Sequence, residues 1–340
     1  MRPFVAVVRI VPVLALSASL AAVPQDSAKK PDLPLAPART IAFDTDEGTW
    51  ISLDVTPDGK SIVFELSGDL YRLPIEGGAA TRITGGLGYD AQPRVSPDGT
   101  RIAFISDRDG SDNLWIAALD GTNPKKLSSE TQDAVISPAW TPDSQYVIAS
   151  VRVPASGTQL RMFHVDGGSG ITLGQAAAPG GGRGGGGGGA LSRLGAVVSP
   201  DGRFLYAAQS GPAGDGLPGW QIARLDMQTG DVDVITQGGG RAYRPAVSPD
   251  GKLLDYAARH RTQARLRVRN LETGADRQLV WPVQRDEIES GGSPTRDLFP
   301  GYAFTPDGAA VLTTKDGKIQ PVDIATGQTT VVPFTGKMEL

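Results

Sequence analysis

Thr56-Pro57-Asp58-Gly59, followed closely by Ser61-Ile62-Val63-Phe64-Glu65-Leu66, reads as a tight turn feeding a β-strand. Serine or threonine in the first place accepts a local hydrogen bond, and proline presets φ in the second. Aspartate is tolerated in the third, and glycine supplies conformational freedom in the fourth. The same word returns at Ser96-Pro97-Asp98-Gly99, Thr141-Pro142-Asp143-Ser144, Ser199-Pro200-Asp201-Gly202, Ser248-Pro249-Asp250-Gly251 and Thr305-Pro306-Asp307-Gly308. Successive copies lie 40, 45, 58, 49 and 57 residues apart. An internal repeat of this period decides the architecture before any single element does.

The flanks of the turn repeat too. A β-rich run follows each copy: Ser61–Leu66, Arg101–Ser106, Gln145–Val151, Arg203–Gln209, Lys252–Ala258 and Ala309–Thr314. A hairpin turn leads to a third run: Leu70–Ile75, Asn113–Leu119, Gln159–Val165, Gln221–Leu225, Arg265–Leu271 and Lys318–Ile324. A glycine-bearing turn and a short fourth run, such as Thr81–Thr84, complete the unit. Four strands in ~40–45 residues is the arithmetic of a propeller blade. The predicted fold is all-β: a six-bladed β-propeller of four-stranded antiparallel blades, spanning residues 40–335. An open ring would leave sheet edges exposed, so Thr40–Phe43 is expected to pair with Thr329–Val332. Two repeats run long. One holds a glycine-rich loop at 176–193, whose match to phosphate-binding patterns is an artefact of poly-glycine. The other carries the acidic and polar insertion Pro282–Pro300.

Composition narrows the chemistry. The 340 residues include 44 glycines and 26 prolines, about a fifth of the chain together, which stays below the low-complexity range. There is no cysteine, which excludes disulfides, thiol catalysis and cysteine-held metals. Only two histidines occur, His164 and His260, so a histidine-rich metal centre within this chain is disfavoured. A net charge of −4 disfavours a general nucleic-acid binder. Arg2 and Arg9 precede the apolar stretch Ile10–Val23, which is too short to span a bilayer and ends in small residues. Residues 1–22 are therefore read as a secretory signal peptide and 23–39 as a flexible, proline-bearing leader. The expected location is outside the cytoplasm, in a bacterial periplasm, with no membrane attachment after cleavage.

The repeated Ser-Pro-Asp-Gly units resemble the TolB-type six-bladed propeller. Narrower strings resemble the N-terminal propeller of large secreted metal-dependent amidohydrolases. They are Thr45-Asp46-Glu47-Gly48-Thr49-Trp50, Gly68-Asp69-Leu70-Tyr71, Ser106-Asp107-Arg108-Asp109-Gly110, Asn113-Leu114-Trp115, Asp166-Gly167-Gly168-Ser169-Gly170, Pro282-Val283-Gln284-Arg285-Asp286 and Val332-Pro333-Phe334-Thr335. That resemblance implies a catalytic barrel after the propeller, with a divalent metal held mainly by histidines from a His-x-His pair. No His-x-His occurs in this sequence, so no catalytic or metal-binding residue carries over. On this reading residues 336–340 begin a linker or further domain, no cofactor belongs to the propeller, and any metal belongs to the barrel. The expected function is a non-catalytic module that docks on a hydrolase domain and gates substrate access. Two alternatives stay open: a stand-alone periplasmic protein-binding scaffold of TolB type, and the propeller of a serine peptidase.

No Gly-x-Ser-x-Gly elbow is present. Candidate binding residues are those placed near the starts or ends of inner strands. Asp46 and Glu47, beside Asp44, form a solvated turn or a cation contact at the channel mouth. Trp50, Tyr89, Trp140, Tyr243 and Tyr302 are aromatic candidates for the channel, or else pack between blades. Arg94 and Arg244 each sit beside a proline upstream of a turn and either meet carboxylates in the channel or bond between blades. Arg265, Arg267 and Arg269 alternate along one strand face, exposed or facing an acidic partner. Asp107, Asp109 and Asp112 faintly resemble a calcium loop but lack its closing glutamate.

Overall fold

The computed structural model describes residues 39–339 apart from 132–133, 154–156, 175–191, 213–217, 238–240, 261 and 287–295. The signal segment at 1–22, nearly all of the leader at 23–39 and most of the loop at 176–193 lie outside the described residues.

The repeated turn is built as its residues dictate, with one addition. In all six copies the Ser or Thr hydroxyl donates to the turn aspartate at 2.5–2.6 Å. The same carboxylate oxygen accepts the backbone N–H two residues on, at 2.9–3.0 Å. The hydroxyl oxygen in turn accepts the N–H five residues after it, at 2.8–3.1 Å, which starts the next strand. Aspartate is thus an acceptor the turn requires, beyond the tolerance read from sequence. The fourth place is left-handed in every copy, with φ between 58° and 73°, so five glycines and Ser144 occupy it.

These turns join the first and second strands of six blades. Blade 1 is Leu53–Val55, Ser61–Leu66, Asp69–Pro74 and Gly78–Arg82. Blade 2 is Asp90–Val95, Arg101–Ser106, Asn113–Ala118 and Lys125–Lys126. Blade 3 is Ala134–Trp140, Tyr146–Val153, Gly157–His164 and Ile171–Leu173; blade 4 is Arg193–Val198, Phe204–Pro212, Pro218–Asp226 and Val232–Val234. Blade 5 is Ala242–Val247, Leu253–His260, Gln263–Asn270 and Asp276–Val280. Blade 6 is Ala303–Phe304, Ala310–Lys315 and Lys318–Asp323, with its fourth position held by bridges at Thr329 and Val332. Each blade pairs antiparallel from strand to strand, and the described residues contain no helix.

Second strands are buried on both faces, and period two sends alternate side chains to opposite neighbours. Ile62, Phe64 and Leu66 pack towards blade 6 with Leu312 and Ile319, while Val63 packs towards blade 2 with Ile102 and Phe104. Val147, Ala149 and Val151 pack back on blade 2, while Ile148 packs forward on Leu205 and Ala207 of blade 4. The core is therefore a circle of inter-blade layers rather than one central nucleus.

Ring closure differs from the expectation. Ala42–Thr45 pairs with Phe334–Glu339, not with 329–332. Phe334–Glu339 also pairs, in parallel, with Gly78–Arg82 and so extends blade 1 outward. Residues 336–339, expected to begin a linker, are part of this strand. The reason is apolar burial: Phe334 and Met338 are 3% and 2% exposed and join the core layer between blades 6 and 1. Phe334 meets Phe64 edge to face at 5.2 Å.

Phe334→Ala is expected to destabilise the ring by about 3–5 kcal/mol, read from denaturant unfolding. The turn hydroxyls hold Asp58, Asp143, Asp201, Asp250 and Asp307 below the usual carboxylate range. A depressed carboxylate stabilises above its unfolded value of ~3.9 and loses that contribution as pH falls through the folded value. Stability is thus expected to drop below about pH 4, and Asp201→Asn should flatten that limb in thermal melts at stepped pH.

Candidate functional site

Six residues share the place four before the Ser or Thr of the turn: Ser52, Gln92, Ser137, Gly195, Arg244 and Gly301. In four of them the inner strand shifts register against its partner. Gln92, Ser137, Gly195 and Arg244 have φ of 55°, 56°, 64° and 52° at that point. These are β-bulges, which re-aim a side chain and release a ladder N–H. Pro93, Pro138 and Pro245 come next in three of them, where a residue without an N–H costs nothing.

The bulges bring polar side chains together at the centre of the ring. Glu65 accepts the Gln92 N–H at 2.5 Å and the Ser52 hydroxyl at 3.3 Å. Gln92 Oε1 accepts the Ser137 N–H at 2.8 Å. Asp297, from the connection before blade 6, accepts the Ser137 hydroxyl at 2.5 Å and pairs with Arg244. Arg94 donates to the carbonyls of Leu53 and Tyr302 at 3.0 and 3.2 Å and lies 3.7 Å from Asp54. Asp54 accepts the Val95 N–H at 2.8 Å, tying blade 1 to blade 2. The Tyr302 hydroxyl donates to the Arg244 carbonyl at 2.5 Å, tying blade 6 to blade 5.

Burial governs the protonation of this centre. It pushes Glu65 up to about 7, against the opposing bond from the Gln92 N–H. Burial also raises Asp54, which the Arg94 charge opposes. Arg94 is brought down to about 10, first by burial and then by repulsion from Arg244. It keeps its charge at neutral pH.

Above the centre, the mouth is formed where connections between blades meet the hairpins joining second and third strands. Arg296 lies over the Trp50 ring at 5.9 Å and the Tyr89 ring at 5.7 Å, and donates to the Tyr89 hydroxyl at 3.1 Å. A cleft of about 700 Å³ opens beside this cluster, lined by Phe43, Glu47, Ser67, Gln263, Gln284 and Asp316, among others.

The candidates fall into three groups. Arg94, Arg244 and Tyr302 meet in the centre, and Trp50 and Tyr89 meet at the mouth through Arg296. Asp46 and Glu47 lie exposed at the rim, where the cation they contact is Lys318 of blade 6, at 3.0 and 3.7 Å. Trp140 and Tyr243 serve packing between elements: the Trp140 indole donates to the Arg94 carbonyl at 2.9 Å, and the Tyr243 hydroxyl donates to Asp286 at 2.8 Å. Arg267 and Arg269 of the arginine stripe meet Asp276 at 2.6 and 3.6 Å. Asp107 accepts the Tyr89 N–H at 2.7 Å, and Asp109 pairs with Lys126. Among the described residues, no group of three or more His, Cys, Asp or Glu is placed to hold a metal ion.

Sequence reasoning missed Asp54, Glu65, Gln92, Ser137, Arg296 and Asp297. The signal for Gln92 and Ser137 was present, as a polar residue before proline in an otherwise apolar strand. Glu65 was visible as the one charge inside Ser61–Leu66. Nothing in the insertion marked Arg296 or Asp297.

Glu65→Gln can accept the Gln92 N–H on its carbonyl oxygen and donate its amide to the Ser52 hydroxyl, reversing that bond, and it removes the titration. A carboxylic acid raised when folded favours the fold while protonated, and that advantage fades as pH climbs from its unfolded value of ~4.3 to about 7. The variant is therefore expected to gain on the natural protein across that window, by at most about 4 kcal/mol, in paired melts between pH 4 and 8.

Residues 51–181 match the family described as the Tricorn protease N-terminal beta propeller domain. The chain is 31% identical over 119 residues to Tricorn protease homolog 1 of Streptomyces coelicolor, a match covering 34% of this chain and 11% of that protein. It thus spans about a tenth of that relative's length. A putative TolB from Agrobacterium tumefaciens superposes with a TM-score of 0.59 at 18% identity, over 79% of this chain and 95% of the other. A puromycin-hydrolyzing peptidase of Mycobacterium tuberculosis gives a TM-score of 0.55 at 19% identity, over 84% of this chain and 44% of the other. At such identities the likeness to these structures is one of fold. The chain is a six-bladed β-propeller with the architecture of TolB, and over blades 1 to 3 its sequence is similar to the Tricorn protease N-terminal propeller.

Proposed function

We propose that this propeller is a non-catalytic module of a secreted, periplasmic, amidohydrolase-like protein, docking on a hydrolase domain and restricting substrate access at the channel mouth. The observation that carries it is the match of residues 51–181 to a protease propeller family, beside a match to Tricorn protease homolog 1 that covers 11% of that protein. The mouth supports the same reading. Its rim carries a cleft of about 700 Å³, and its aromatic residues Trp50 and Tyr89 are drawn together by Arg296. A partner surface set there would meet charged, aromatic and backbone groups, the usual materials of a recognition rim. The divalent metal of such a hydrolase would belong to the barrel.

Two other readings have an observation each. A TolB-type scaffold that binds a periplasmic protein is favoured by the superposition over 95% of the putative TolB chain. The propeller of a serine peptidase is favoured by the superposition on 44% of the puromycin-hydrolyzing peptidase. No helix among the described residues is long and apolar enough to cross a membrane.

The reading frame after codon 340 at the source locus separates the three. A continuing frame with His-x-His supports the amidohydrolase module, one with Gly-x-Ser-x-Gly the peptidase, and an immediate stop the scaffold. The purified chain, supplied with zinc or manganese, is expected to hydrolyse no amide or peptide substrate above the buffer rate. Sustained turnover that a chelator abolishes would overturn the non-catalytic reading.

A further inference from the structure

Asp297 belongs to no blade. It lies in the connection between blades 5 and 6, yet its side chain is 3% exposed and sits among inner strands. Oδ2 accepts the Ser137 hydroxyl of blade 3 at 2.5 Å and a guanidinium N–H of Arg244 of blade 5. Oδ1 accepts the Leu298 N–H at 2.6 Å. Ser137 and Arg244 are themselves 0% and 4% exposed.

The ring leaves room for this carboxylate. A side chain on Gly195 of blade 4 would put its Cβ 3.3 Å from Asp297 Oδ2. One on Gly301 of blade 6 would come within 3.0 Å of Arg244 Nη2 and 3.1 Å of Arg94 Nη2. The absence of side chains at these two places keeps the cradle open. A buried guanidinium needs an opposite charge, because desolvating it alone costs several kcal/mol. Arg94 finds a carboxylate on an inner strand, Asp54 at 3.7 Å. Among the described residues, the ion-pair partner of Arg244 is Asp297, which the blades themselves do not supply.

We propose that the ring centre is a carboxylate-binding site, formed by Arg244, Ser137 and the space at Gly195 and Gly301, which the chain fills in cis with Asp297. Its ligand class is a carboxylate on a narrow stem, of the size of formate, acetate or an aspartyl side chain. An acidic group reaching the centre from outside competes with Asp297 for the same donors. This site is independent of the docking reading.

Asp297→Ala in the full chain tests it. Shortening the side chain to a methyl group empties the place of the carboxylate and leaves its donors. The variant is expected to melt below the natural protein. In ~100 mM sodium formate it should regain about 3 °C or more over sodium chloride of equal ionic strength, saturably. The natural protein should shift by less than about 1 °C, because its site is full. Adding Arg244→Met to Asp297→Ala should abolish the response. An equal formate response in the natural protein, its survival without Arg244, or no response in Asp297→Ala would each overturn the proposal. Should Asp297→Ala not fold in chloride, its folded yield after refolding in formate against chloride becomes the readout. No formate-specific gain would then overturn it.

Discussion

Everything in this ring depends on strands that have no exposed face. Ser61–Leu66 is buried along its whole length, and its alternate side chains belong to different neighbours. A single blade would expose one apolar face on each side, so no blade is stable by itself and each needs the next. That demand passes from blade to blade until blade 6 meets blade 1. Closure is therefore the condition on which every inter-blade layer rests. The layer that completes it is built from Phe334 and Met338 together with Ile62, Phe64 and Leu66.

One concentration of buried charge lies at the axis, where inner strands converge and the apolar layers end. There the bulges turn side chains inward, and the charges are answered in close quarters: Arg94 by Asp54, Arg244 by Asp297, and Glu65 by hydrogen bonds with burial favouring its neutral form. Such pairs contribute less to stability than their number suggests, because desolvation offsets much of their attraction. Their contribution is geometric. Asp54 reaches the backbone of blade 2, and Tyr302 reaches that of blade 5, so the centre fixes how the blades lie against one another.

The fold was legible because its signals are local and repeated. A turn of four residues, an apolar strand and a hairpin each declare themselves within ten positions, and six copies remove ambiguity. Ser61–Leu66 and Arg101–Ser106 fall where the pattern placed them, residue for residue. Closure was read wrongly because 329–332, Thr-Thr-Val-Val, is β-rich, whereas Phe334–Glu339 holds Gly336, Lys337 and Glu339 and does not look like a strand. Tertiary burial of Phe334 and Met338 decides it. The centre was legible by halves. Arg94, Arg244 and Tyr302 could be suspected from their place before the turn. Arg296 and Asp297 could not, because a connection declares neither its path nor its contacts. Trp140 and Tyr243 look the same in sequence whether they bind or pack.

The pairing of Ala42–Thr45 with Phe334–Glu339 has a mechanical corollary. Ala42 stands opposite Glu339 and Thr45 opposite Gly336, so the chain leading into one strand and the chain leaving the other lie at the same end of the pair. Tension applied through those two leads falls on one pair of hydrogen bonds at a time, from Ala42 and Glu339 inward, instead of being shared along the strand. The seam of this ring is a zipper and not a lap joint. A load carried through both leads would open the circle first at blade 1, the blade in which both strands pair.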